Sequence, residues 1–368
     1  MVKIPNHIAQ LVPYKPGKPA LNNFDSSLAY REIVLSSNEN NFGPSPLAIE
    51  AIRAAASEMH LYPDPTSTLL KEKLSGILQV RPENLSIGNG SDSILYNMCK
   101  AFFASGQKML TSAGAFSSAK VYARLNNIPL IETPMSPGYT FDLTAILQAI
   151  DADTQLIYLV NPNNPTGAML PGDELRAFLS KVPDHILVVV DEAYYEFASA
   201  LSDDYLDCSK LGYKNVIVLR TFSKAYGLAG LRLGYAIGPE DLIGVLNKVK
   251  LPFDPNRMAQ AAGLAALDNQ AFLEKTIENN KVQREILAVG YQALNISYIP
   301  TYGNFYMLDL HSESKVEETW EALRSRGILT RRLASFGLAH CLRVSIGTAD
   351  DNAIYLQQLE QVMAMVAS

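Results

Sequence analysis

The strongest constraint on this chain is a series of short apolar runs in which polar residues do not alternate. LSIG (85–88), QKMLTS (107–112), QLIYLV (155–160), HILVVV (185–190), NVIVLR (215–220) and LGYAIG (233–238) form the series. Strands apolar on both faces must be covered on both, as in a mostly parallel sheet flanked by helices. Helical stretches follow the first three runs: SDSILYNMCKAFFA, FSSAKVYARLNN and GDELRAFLSKV. The alternation predicts an α/β domain, doubly wound around a mostly parallel central sheet, over residues 45–260. Beyond it a long helical stretch (270–294) leads to FYMLDL, a helix through VEETWEALRSRG, and CLRVSIG, the pattern of a smaller α+β unit. The first 44 residues have nothing of their own to pack on, so a small domain of 1–44 plus 261–368 is expected.

Composition narrows the function classes. The chain is 48% hydrophobic and 18% charged, as in an ordinary globular protein. A formal net charge of −6 leaves no basic footprint for nucleic acid. Cys99, Cys208 and Cys341 are odd in number and form no CxxC pair, which fits a reducing cytoplasm and neither a disulfide framework nor a zinc site. The histidines show no HExxH spacing, so no catalytic metal is expected. The start, MVKIPNHIAQ, has no apolar signal core, and no apolar run approaches the roughly 18 residues of a membrane span. A soluble cytoplasmic enzyme is expected.

In doubly wound sheets, ligands sit beyond the carboxyl ends of the strands. After LSIG comes GNGSD, where Gly88, Gly90, Ser91 and Asp92 open a helix whose free N–H groups favour a phosphate. Strand–glycine–helix turns also arise for packing alone, and this one is neither a Walker loop nor a full GxGxxG. After QKMLTS, Phe116 is placed to stack on a planar ring or to join the core. After QLIYLV, the rigid loop NPNNPTG puts Asn161 first past the strand. After HILVVV, Asp191 is either solvated or in need of a cation or a strong donor. After NVIVLR come Ser223, Lys224 and Arg232, a hydroxyl, an amine and a planar cation suited to a phosphate. A shielded lysine beside other cations has a lowered pKa and acts as a nucleophile. Together they describe a ligand with a phosphate, a flat ring, a ring nitrogen that needs a carboxylate, an oxygen that needs a donor (Asn161, Tyr194) and a carbonyl for Lys224. Pyridoxal phosphate has these parts.

NPNNPTG, VVVDEAYYEF, RTFSKAYGLAGLRLGY and LRVSIGTADDN, in this order, resemble the fold-type I aminotransferases, and most closely the histidinol-phosphate aminotransferase family. The likeness runs from LVPYKPGKP through LSSNENNFGPSP and LYPDP to the end. It implies that Lys224 is the Schiff-base lysine and proton shuttle, and that Asp191 partners the pyridine nitrogen. Asn161 and Tyr194 are then at the ring oxygen and Phe116 at the stacking position, while Ser91, Asp92, Ser223 and Arg232 surround the phosphate. Tyr62 matches a tyrosine that reaches the phosphate across a homodimer interface; Tyr14, Arg331 and Arg343 match substrate positions, Arg343 being the anion anchor. The implied substrates are L-histidinol phosphate as amino donor and 2-oxoglutarate as acceptor. An aromatic amino-acid aminotransferase and a threonine-phosphate decarboxylase are the rivals; the acidic charge and short N-terminal extension set aside a DNA-binding fusion. The sequence departs from the family pattern at Asn41, where proline is usual, at Ser93, and at Arg332, which leaves open which arginine of the pair faces the site.

Overall fold

The computed structural model describes residues 2–11 and 32–366. In chain order its strands begin with β1 (Ile33–Val34), β2 (Leu85–Gly88), β3 (Lys108–Ser112) and β4 (Leu130–Thr133). They continue with β5 (Thr154–Val160), β6 (Leu187–Asp191), β7 (Val216–Thr221) and β8 (Gly234–Ile237). The last are β9 (Ser297–Ile299), β10 (Phe305–Asp309), β11 (Ile328–Leu329), β12 (Arg331–Arg332) and β13 (Cys341–Ser345).

A seven-stranded sheet has the order β2-β8-β7-β6-β5-β3-β4. The pairs from β7 to β4 are parallel, whereas β8 is antiparallel to both β2 and β7. The non-alternating runs are its strands, and β6 and β7 are buried at every position. Sequence patterning passes over β4. It is an edge strand with Ile131 and Glu132 exposed, so it lacks the two-sided burial that marks the others.

Register decides where the chemistry falls. Val160 pairs with Asp191, and Asp191 with Leu219, so the carboxyl ends of β5, β6 and β7 lie side by side. Asp191 is the last residue of β6, not the first beyond it. The loops that follow these strands open on one edge of the sheet.

The tail forms an antiparallel sheet, β12-β13-β10-β9, and β1 pairs in parallel with β11. One apolar cluster surrounds the large sheet. A second joins Ile33 and Leu35 to the tail through Leu287, Tyr306, Leu342 and Tyr355. The segment after β1 is tied down by amides. The Asn38 N–H donates to Ser345 Oγ at 2.9 Å, and Asn40 Nδ2 donates to the Ala225 carbonyl and Thr276 Oγ1, each at 3.1 Å. Asn41, where proline is usual, donates from Nδ2 to Asp351 at 2.9 Å, a bond proline cannot make.

Candidate active site

The ends of β5, β6 and β7, the start of the helix Gly90–Ala101, and β12 with β13 converge on a cavity of about 180 Å³. Lys224, Asp191, Tyr194, Phe116, Ser91, Asp92, Ser223, Arg232, Arg331 and Arg343 all border it.

Lys224 Nζ donates to the Ser37 carbonyl at 3.1 Å and lies 5.8 Å from the centre of the Tyr194 ring. Burial, then the charge of Arg343, pulls the amine from 10.5 down to about 8. A useful fraction is therefore the neutral, nucleophilic amine near neutral pH.

Asp191 is held by two neutral donors. Oδ2 accepts from the Tyr158 hydroxyl at 2.7 Å and Oδ1 from the Ala193 N–H at 3.2 Å. Burial pushes the carboxyl up to about 7 despite these bonds. Among the described residues no cationic side chain pairs with it. A buried carboxylate supplied only with neutral donors is a receptor for a cation.

The helix start makes an anion cradle. Gly90 has φ +80°, and a Cβ there would stand 2.7 Å from Arg232 Nη2. A Cβ on Gly234 would stand 2.4 Å from the Ser91 nitrogen. The glycines thus let the helix N-terminus, Arg232 and β8 close together. Arg232 Nη1 donates to Ser223 Oγ at 3.4 Å, while Nη2 lies 3.6 Å from Asp92 Oδ2. Free N–H groups, a hydroxyl and a guanidinium at one point suit a phosphate. Ser93, one of the departures, spends its hydroxyl on the Gly90 carbonyl at 3.2 Å.

The Tyr194 hydroxyl accepts from Asn38 Nδ2 at 3.0 Å and Asn164 Nδ2 at 3.1 Å. Burial pushes the phenol up to about 12, so it keeps its proton and can donate it to a ligand oxygen. The asparagine at the site is Asn164, which borders the cavity, and not Asn161. The Asn161 N–H still bonds the Asp191 carbonyl at 2.9 Å, continuing the strand. Val160 borders the cavity, so alternation turns Asn161 away, and its Oδ1 accepts from the Leu170 N–H at 2.9 Å.

In β13, Arg343 donates to the Ser36 carbonyl at 2.7 Å and to Asn164 Oδ1, with its guanidinium 5.4 Å from the Phe305 ring centre. Arg331 faces the cavity from β12, opposite Arg343 in the pairing. Tyr62 lies elsewhere, 76% exposed and stacked on Phe253 at 4.3 Å. Tyr14 lies outside the described residues.

Sequence reasoning missed Asn164, Tyr158 and the Ser36–Asn38 backbone. The doubled asparagine of NPNNPTG was the available signal for the first, and Tyr158 looked like any apolar strand residue. A trio of metal-ligating type, Asp309, His340 and Cys341, has its ligand atoms within 4.8 Å of one another, and Asp309 also pairs with His311 at 3.2 Å. No helix among the described residues is long and apolar enough to cross a membrane.

A partly buried lysine of lowered basicity, a buried carboxyl bonded by neutral donors and an anion cradle sit at the edge of a mostly parallel sheet. They are parts of an aminotransferase site, and residues 30–359 match the family model for class I and II aminotransferases, the family to which this chain belongs. A histidinol-phosphate aminotransferase of Anaeromyxobacter sp. is 38% identical over 99% of this chain and 100% of its own. One of Bacillus subtilis is 38% identical over 98% of this chain and 100% of its own. Within the class, then, the chain belongs with the histidinol-phosphate aminotransferases. The crystal structure of such an enzyme from Sinorhizobium meliloti, in complex with pyridoxal-5'-phosphate, matches with a TM-score of 0.89 at 28% identity, covering 100% of this chain and 99% of that one.

Proposed function

We propose that this protein is a pyridoxal-phosphate-dependent aminotransferase that moves an amino group between L-histidinol phosphate and 2-oxoglutarate or glutamate, a step of histidine biosynthesis. The observation that carries the reading is that one cavity holds both Lys224 and Asp191, a carboxyl that among the described residues is bonded only by neutral donors.

The residues fit the cofactor. Ser91, Ser223 and Arg232 would hold its phosphate, with Asp92 balancing the arginine; Phe116 would pack on its ring, and Tyr194, with Asn164, would meet its oxygen. When bound, the cofactor supplies an aldehyde and a ring that accepts electrons. Asp191 would hold the proton on its ring nitrogen. Lys224 Nζ takes the proton from the substrate Cα, its lowered basicity letting it start neutral. Arg343 and Arg331 hold the anionic end of each substrate. Tyr194 donates its hydroxyl proton as a hydrogen bond and keeps it throughout.

Other parts of the reading rest on less. A division into a large unit (45–260) and a small one (1–44 plus 261–368) is supported by the two apolar clusters. A homodimer in which Tyr62 reaches the partner's phosphate is supported by its exposure beside its exposed chain neighbour Leu61 and the exposed Phe253 ring it stacks on. A cytoplasmic location is supported by three buried free thiols.

The test is spectroscopic. One stoichiometric dose of L-histidinol phosphate should remove the absorbance of the lysine-bound cofactor, and 2-oxoglutarate should restore it. A response only to phenylalanine would move the substrate to aromatic amino acids. Release of carbon dioxide from threonine phosphate would make the enzyme a decarboxylase.

A further inference from the structure

We infer that Tyr158 is a positioning residue for Asp191, its hydroxyl fixing the carboxylate to face the cofactor's ring nitrogen. The inference rests on the cofactor reading above.

β5 and β6 are parallel, with Val160 opposite Asp191 and Tyr158 opposite Val189. Tyr158 therefore stands two residues before the strand end, on the same face as Val160 and Asp191. From there its hydroxyl reaches Asp191 Oδ2 at 2.7 Å. The ring is fully buried within the apolar cluster of the large sheet. Phenylalanine would fill that space equally well, and a buried hydroxyl costs free energy unless it is bonded. The oxygen atom is thus accounted for by Asp191, not by packing.

Two consequences follow for the carboxylate. Oδ2 is occupied by the phenol and Oδ1 by the Ala193 N–H, which fixes the plane of the group before any ligand arrives. The phenol also favours the charged form against burial and against the nearby acids Asp92 and Glu192. Tyr158 does not give up its own proton, because burial and the Asp191 charge raise it well above its ordinary value. Tyr194 and Tyr122 stand nearby and are also held protonated by burial.

The experiment is a double-mutant cycle of Tyr158→Phe and Asp191→Asn, read as the dissociation constant for pyridoxal phosphate and as the pH dependence of the bound cofactor's absorbance. Expected is an about tenfold weaker constant for Tyr158→Phe in the wild-type background. The pH transition of the absorbance should shift as well, with neither effect in the Asp191→Asn background. An unchanged constant and transition would overturn the inference. So would equal losses in both backgrounds, since that is what a packing defect gives. If the wild-type protein binds no pyridoxal phosphate, it is the cofactor reading that fails.

Discussion

Arg331 and Arg332 are chain neighbours in β12 that face opposite ways. Arg331 borders the cavity, while the Arg332 guanidinium lies 3.9 Å from the Trp320 ring centre and pairs with Glu317. Strand alternation makes this choice, and it settles which of the two arginines faces the site. Arg331→Gln should raise KM for both anionic substrates by about 10-fold to 100-fold, the worth of a charge-assisted hydrogen bond. Arg332→Gln should leave KM within about twofold, as surface substitutions do. Steady-state kinetics of the two variants check this; a larger effect from Arg332 would reverse the assignment.

Lys224 makes the loading of cofactor depend on pH in a predictable direction. Its amine is lowered from 10.5 to about 8, so the neutral form grows as pH rises through 8. The rate at which apoprotein takes up pyridoxal phosphate should rise through that range and level off above it. Arg343 contributes to the lowering, so Arg343→Met should move the midpoint upward. Stopped-flow absorbance measures both, and Lys224→Ala should abolish turnover.

Asp191 should trade stability for function. Its carboxyl is raised from 3.8 to about 7, so the folded state favours the protonated form. That contribution to stability is full below 3.8 and is lost as pH rises to about 7. At pH 7.5, Asp191→Asn should therefore stabilise the cofactor-free protein, by about 1–3 kcal/mol. It should also cut kcat at least tenfold by removing the partner of the ring nitrogen. Melting curves of the apoprotein against pH, with kinetics of the reconstituted variant, read the two halves separately.

In β7, Arg220 donates to Glu192 at 2.7 and 3.0 Å and to Asp207 at 2.7 Å, with Arg220 and Glu192 both buried. Arg220→Ala would strand those carboxylates and should cost about 3–5 kcal/mol. Urea unfolding at pH 7.5 provides the measurement, and a loss below 1 kcal/mol would contradict the buried-pair argument.

What the sequence made legible was set by how local each signal is. The non-alternating runs announced the sheet because two-sided burial is written along a single strand. Lys224, Asp191 and Arg232 stood out because charge in an apolar or glycine-rich setting is rare without a partner. Asn161 misled, since being first past a strand does not say which way a side chain turns; that depends on whether the ladder continues, and here it does for one more residue. Tyr158 was invisible for the opposite reason. Its ring belongs to the strand pattern, and only the register of β5 against β6 brings its hydroxyl to a carboxylate 33 residues away.

The amides that anchor the segment after β1 also set an order of events during synthesis. Asn38, which supports Tyr194, is held by Ser345, 307 residues later in the chain. β1 likewise has its partner strand in the tail, with Ile33 opposite Ile328. As the polypeptide leaves the ribosome, the large sheet can form while the leading segment is still without its ladder. The pocket wall that segment supplies is completed only when β13, the last strand among the described residues, emerges, so a nascent chain stalled before β13 would carry Lys224 and Asp191 without Arg343.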